Sequence, residues 1–345
     1  MGDSSQKRHA GAAEAAGAAY ARGEAHEREL RLGAAAAAFA EAAALATSAA
    51  EGVGGGKGAE GRERLRELER LAVRARCRQA KQLSDMSWNA YARSIGEIFC
   101  ERARPAPLAE FEPEGRANAQ EALDLAEHAR NDAEALRERH NSGGHSKAAG
   151  AQSGLMGILS VAGYARGHRG GSEEASAVSA ADATLAEAEV ALAAVLGRQA
   201  TYADNVLDKI RLCEQMHTHA YAAVGADSSS GFAWHLVGRW HFEVYQLGVL
   251  QRAAMVACGA WACTGASTSD ARKAFEKAMA LEPSRLEHAC ELAKVLYHEG
   301  DHVKALRVLR AGLELTPLDV NAHNEATYGR TELLPQLEAA VRARR

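Results

Sequence analysis

Two stretches near the C-terminal end constrain this chain most. "ARKAFEKAMALEP" ends at Pro283 and "ALRVLRAGLELTP" ends at Pro317, so the prolines stand 34 residues apart, and Ala271 and Ala305 keep the same register. A period of that length means one supersecondary unit per repeat, a unit that buries its apolar face only by stacking on a neighbour. The rest of the composition agrees with helices. The chain is rich in alanine, only 5% aromatic, and carries six prolines in 345 residues, and alanine is the strongest helix former. No run alternates β-branched and polar residues long enough for a strand, and no strand-turn-helix rhythm builds a parallel sheet. Most nucleotide-binding and hydrolase folds are thereby excluded.

Within the repeat, a small residue, a bulky one, a small one and a closing proline (Ala271, Phe275, Ala278, Pro283, echoed by Ala305 and Pro317) form the pattern of the second helix of a tetratricopeptide repeat. Gly300-Asp301 supplies the turn between the helices of the last repeat, and Leu292-Ala293 the large-small pair of its first helix. The stretch "WHLVGRWHFEVYQLG" fits the same template. Counted from Gly231, Trp234 falls fourth and Gly238 eighth, where the repeat wants a large residue and then a gap for the partner helix; Leu236 lies between them. The fold class expected is all-α, antiparallel helix pairs forming a short superhelical solenoid.

Glycine-rich breaks divide the chain. One is "EGVGGGKGAEG", Glu51 to Gly61; the others are "NSGGHSKAAGAQSG" and "GHRGGSEE" around residues 141–174. Three parts follow: an Ala/Gly-rich extension over 1–60, helical or partly mobile; helical repeats over 61–170; and tetratricopeptide-like repeats over 171–345 with an insertion at 245–269. Amphipathic helices are expected at about 62–99 and 118–136, then in "SGLMGILSVAGYARG", "ADATLAEAEVALAAVLG" and "NVLDKIRLCEQMHTHAYAAV", with Pro105, Pro107 and Pro113 breaking the run between the first two.

Chemistry-bearing motifs fall away on inspection. Gly56-Lys57 imitates a P-loop, but Glu51 stands at the leading glycine position, Gly58 where Ser or Thr should follow, and no strand precedes it. His235 and His241 are six apart, about 240° around a helix, so they do not share a metal; His217 and His219 face different ways. No catalytic, cofactor or metal residues are expected, and the chain is expected not to be an enzyme. Six cysteines (Cys77, Cys100, Cys213, Cys258, Cys263, Cys290) without a CxxC pair read as small buried residues in a reducing compartment. A formal charge of −4 spread over mixed faces gives no nucleic-acid footprint. The N-terminus lacks an apolar signal region, Gln6 stands where myristoylation wants a hydroxyl, and the apolar run "LGAAAAAFAEAAALATSAA" carries Glu41 at its middle, so no transmembrane anchor is expected.

"HLVGRWHFEV" (His235 to Val244), the apolar insertion after it, and then "DARKAFEKAMALEP" together resemble the regulator of microtubule dynamics family. Gly238, Arg239 and Trp240 match that family's Gly-Arg-Trp core, and His241 departs from it where relatives tend to have cysteine. Gly238 and Ala271 lie 33 apart where a regular repeat allows about 12, leaving about 21 inserted residues. The resemblance is good over 205–318, weaker over 62–165, and does not reach the first 60 residues.

What the resemblance implies is a non-enzymatic, tetratricopeptide-type scaffold in the cytoplasm, associated with the cytoskeleton at spindle or cilium. Its partners would be proteins, tubulin or microtubule-associated proteins among them. Two alternatives stay open. One is an organelle-contact or lipid-handling protein. The other is a chaperone-type adaptor for carboxylate-ended peptides, for which His235 and Arg239 suit but Glu287 and Glu291 repel.

Three structural expectations accompany this reading. Gly238 should lie tight against a neighbouring helix. The insertion should bury Leu247, Leu250, Met255 and Trp261, because so large an apolar patch is a liability when exposed. Trp240 should pack under the insertion, with Arg239 clamping it by hydrogen bonds to its backbone carbonyls.

Overall fold

The computed structural model describes residues 2–53, 59–95, 108–144 and 179–343, and all regular structure among them is helical. The segment "SGLMGILSVAGYARG", Pro105, Pro107, Cys100 and the centre of the first glycine-rich break lie outside the described residues.

The chain opens with α1 (Gly2–Arg28) and α2 (Leu32–Gly52), followed by α3 (Ala59–Ile95) and α4 (Leu108–Gly144). Then come α5 (Ala180–Tyr202), α6 (Val206–Ala226) and α7 (Gly231–Gln246). The insertion holds α8 (Val249–Ala257) and a 3₁₀ turn (Trp261–Gly265), and α9 (Thr268–Leu281) follows it. The last elements are α10 (Leu286–His298), α11 (His302–Leu313), α12 (Val320–Tyr328), a π turn (Gly329–Leu333) and α13 (Leu334–Ala343). Successive helices pair, and each pair stacks on the next to give the helical-repeat solenoid. Only the last units keep tetratricopeptide helix lengths; α3 and α4 run 37 residues each.

Local chemistry sets most helix starts in the C-terminal half. The side chains of Ser179, Asn205, Ser230, Ser267, Asp301 and Asp319 each accept a hydrogen bond from the backbone N–H three residues on, satisfying a donor that the first turn leaves unpaired. Gly300 ends α10 at φ 83°, the left-handed conformation that glycine adopts without Cβ strain.

Residues 2–52 form two helices that pack on α3. α2 buries Ala35, Phe39, Ala42, Ala46 and Ala49, and its alanines meet Ala16 and Ala19 of α1 and Ala72 and Ala75 of α3. Alanine stripes let three backbones approach closely. α2 is also the one described helix long and apolar enough to cross a membrane; Glu41 at its middle pairs with Arg22 at 2.7 Å.

Two prolines correct simple expectations. Pro113 does not break a helix, because α4 already begins at Leu108. So near the start, the missing N–H costs a single intrahelical bond to the carbonyl of residue 109. Pro335, one residue into α13, follows directly on the π turn, a widening that accommodates a residue unable to donate to the carbonyl four positions back.

Candidate functional site

The repeat-signature residues come together as a packing seam. α7 pairs with α9 across the insertion, and a Cβ built on Gly238 would stand 2.9 Å from the Phe275 ring, inside normal contact. Ala271, Phe275 and Ala278 are buried on α9, Ala305 on α11, and Leu236 against Ala193 and Ala220. Trp234 is half-buried, its indole N–H donating to the Ser228 carbonyl at 3.0 Å. Pro283 and Pro317 sit in the turns after α9 and α11.

Trp240 lies buried among Ile210, Val244, Met255, Ala260 and Cys263, so the insertion roofs it, and its indole N–H reaches the Cys213 carbonyl at 3.2 Å. Two expectations fail at this place. Arg239 does not hold the insertion: its guanidinium pairs with Glu243, one turn on along the same helix. The reason is spacing, since the i, i+4 carboxylate is within easy reach while the insertion lies over the Trp240 face. Nor does the insertion bury all its apolar side chains. Met255 is buried and Leu247 partly so, but Leu250 is 86% exposed and Trp261 68%, with Val249 beside them at 75%. Helix α8 has nine residues, and the face carrying Met255 is turned inward, which leaves Val249 and Leu250 in its first turn outside the cluster.

The other concentration of chemistry lies where α7, α10 and α12 meet, with charged side chains interlocking between repeats. From α10, Lys294 bridges Glu291 at 3.0 Å and Glu325 of α12 at 3.0 Å. Burial opposes the lysine's charge, but Glu291 and Glu325 outweigh it and hold Lys294 above its ordinary range; Glu291 is in turn held below the usual carboxylate range against its own burial. Glu287 is paired on one oxygen only, with Arg285 at 3.3 Å.

The N-terminal helices reach this network at the start of α12. Lys81 of α3 places its ammonium 3.0 Å from Asp85, 3.1 Å from Glu27 and 3.2 Å from Asp319, carboxylates drawn from α3, α1 and the cap of α12. Burial again works against the charge, and the three carboxylates prevail, raising Lys81. Asn321 donates to Asp85 at 2.7 Å and accepts from Arg198 at 2.7 Å, and the Arg198 guanidinium stacks over Trp88 at 4.5 Å. Burial, with the Arg239 charge adding to it, lowers Arg198 despite Asp85.

Between α7 and α10, His235 and His288 face each other with Nδ1 atoms 3.0 Å apart, both buried, and Phe232 stacks on His235. Burial and then the His288 charge hold His235 well below its ordinary value, so it is neutral at pH 7. His235 and His241 do point apart: His241 meets the Tyr221 hydroxyl at 2.9 Å on another face. Among the described residues no group of three His, Cys, Asp or Glu side chains is placed to hold a metal ion. Burial pushes the thiols up, Cys77 to about 12 and Cys213 to about 11, so at neutral pH both are protonated and poorly nucleophilic.

Arg239, Glu287 and Glu291 were legible in the sequence, whereas Lys81, Asp85, Arg198, Asp319, Asn321 and Glu325 were not singled out there. Local signals existed for Asp319, as a helix cap after Pro317, and for Lys81 with Asp85, as an i, i+4 pair. The pairings reach from Asp85 to Asn321, 236 residues, and further from Lys81 to Asp319, and no periodicity encodes these long-range contacts.

Among the described residues, stacked helix pairs with alanine, glycine and phenylalanine at the helix crossings define a helical-repeat protein of tetratricopeptide type. Residues 168–336 match the family model described as "Regulator of microtubule dynamics protein 1-3", so this part of the chain is similar to that family. No curated protein matches the chain. Among solved structures, "Assembly Chaperone of RpL4 (Acl4) (Residues 1-338)" is similar at 14% identity and TM-score 0.32, over 88% of this chain and 94% of that one. "TPR2AB-domain:pHSP90-complex of yeast Sti1" is similar at 11% identity and TM-score 0.28, over 94% of this chain and 97% of that one.

Proposed function

We propose that the chain is a non-enzymatic scaffold that binds protein partners on its helical-repeat groove and associates with microtubules in the cytoplasm. The observation that carries the scaffold reading is the charged network where α7, α10 and α12 meet, lying wholly within the family-matched segment. Stacked helix pairs present such a surface as an extended concave site for a partner chain. The microtubule part rests on the family match alone. It is tested by co-sedimentation of the purified chain with polymerised microtubules, with and without the acidic tubulin tails. Pelleting that depends on polymer supports it; a chain left in the supernatant at micromolar polymer removes it.

A second reading has its own observation. Val249, Leu250 and Trp261 stand exposed on the insertion, which favours that segment as a partner-binding face beside the groove. The carboxylate-peptide adaptor is the less favoured reading, because Glu287 and Glu291 place negative charge where such a peptide would end.

A further inference from the structure

Among the polar atoms buried without a hydrogen-bond partner in this region is a carboxylate oxygen, Glu287 Oε2. The Glu287 side chain is 6% exposed, and the carboxylate's other contacts are Arg285 and its own backbone N–H. A buried carboxylate oxygen left unpaired costs about 1–3 kcal/mol, so a fold keeps one where something else satisfies it. Its surroundings say what that something is. Burial first, and then the Asp319 charge, raise Glu287, whereas Arg285 draws it down too little to compensate. Across from it, Asp319 shares the Lys81 ammonium with Asp85 and Glu27; Asp85 also pairs with Asn321, and Glu27 with Arg78 and Gln82. The Lys81 side chain reaches in from α3, outside the tetratricopeptide units, and occupies the carboxylate nest as a visiting lysine would.

Resting on the scaffold reading, we propose that this part of the groove accepts a partner segment bearing lysine or arginine. The cationic head is taken between Glu287 and Asp319, and Lys81 acts as the internal stand-in that it displaces. A cationic head there supplies the donors that Glu287 Oε2 lacks. The segment replaces one ion pair at Asp319 with another, so its entry does not strand the carboxylate. A carboxylate-bearing segment at the same place would meet Glu287, Asp319, Asp85 and Glu27, and is rejected.

The test is fluorescence anisotropy of a labelled twelve-residue lysine/serine peptide titrated with the full chain, beside a glutamate/serine peptide of equal length. The lysine peptide is expected to bind saturably and the glutamate peptide not at all. Glu287→Gln should weaken binding about tenfold, the size of one charge-assisted hydrogen bond, with no loss of melting temperature. Glu63→Gln, which removes a carboxylate exposed on α3, should leave binding unchanged. The double variant Lys81→Met/Asp85→Asn removes the stand-in together with one carboxylate and should tighten binding. Equal binding by wild type and Glu287→Gln, or preference for the glutamate peptide, overturns the proposal. If neither peptide binds while the chain still pellets with microtubules, the basic-segment proposal falls and the scaffold reading stands.

Discussion

The same helix-ending motif appears at Leu30 and at Gly300, and the comparison isolates what one side chain costs. At both, the residue donates to the carbonyl three back and its successor to the carbonyl five back: Leu30 to Glu27 with Arg31 to His26, Gly300 to Tyr297 with Asp301 to Leu296. Leu30 holds φ 57°, where a Cβ crowds the following carbonyl. Leu30→Gly should therefore raise stability by about 1 kcal/mol, read as a higher urea midpoint at unchanged slope. Gly238 is the converse case. Alanine is the better helix former, yet the Phe275 ring at 2.9 Å is fully buried and has nowhere to move. Gly238→Leu should destabilise by about 1–3 kcal/mol or prevent folding, and a normal melting temperature would show that the crossing is looser than this distance requires. Arg239→Lys, by contrast, should shift stability by less than about 0.5 kcal/mol, because it alters a surface pair and not a clamp.

Helix α6 meets α7 and the insertion through a band of neutral histidines. His217 packs on Trp240 with ring centroids 4.2 Å apart and on Tyr221 at 4.6 Å. Burial, aided by the His241 charge, lowers His217 from 6.5 to about 4. A histidine depressed in the folded state contributes nothing above pH 6.5, where both states are neutral. As pH falls from 6.5 to about 4 the unfolded chain takes up the proton first, so stability is lost across that window. Urea midpoints measured from pH 7 to pH 4 should fall, and His217→Phe should flatten the slope. In the insertion, Met255→Ala should cost about 2–5 kcal/mol, whereas Trp261→Ser should leave the melting temperature unchanged. If Trp261→Ser destabilises, the tryptophan packs in a way that its 68% exposure does not reveal.

Over the whole molecule, the N-terminal helices complete the solenoid at both of its surfaces. α1 and α2 cover the alanine face of α3, while Glu27 of α1 reaches Arg78 at 2.9 Å, Lys81 at 3.1 Å and Gln82 at 2.8 Å. Removing residues 2–52 exposes Ala72 and Ala75 and takes one carboxylate from the Lys81 node, whose other members belong to α3 and α12. The truncated chain should melt at a lower temperature and lose protection in α12, 270 residues further along, as read by amide hydrogen exchange. Unchanged exchange in α12 would mean that the node does not couple the two ends.

Helix content, the 34-residue repeat, the inserted segment and the tight crossing at Gly238 were all legible in the residues. Each rests on local chemistry: alanine propensity, capping side chains, and a small-large-small rhythm repeating within one helix pair. What only the tertiary structure decided lies between elements. Lys81 meets Asp319, Arg198 meets Asn321 and His235 meets His288 because stacking curves the solenoid back upon itself, and the rotation per repeat is set by summed packing over many side chains. The same summation turned Leu250 and Trp261 outward, since the small roof over Trp240 was already filled by Met255, Ala260 and Cys263. A periodic pattern determines which face of a helix is buried; how far successive faces turn, and therefore which charges meet between repeats, is a property of the assembled core.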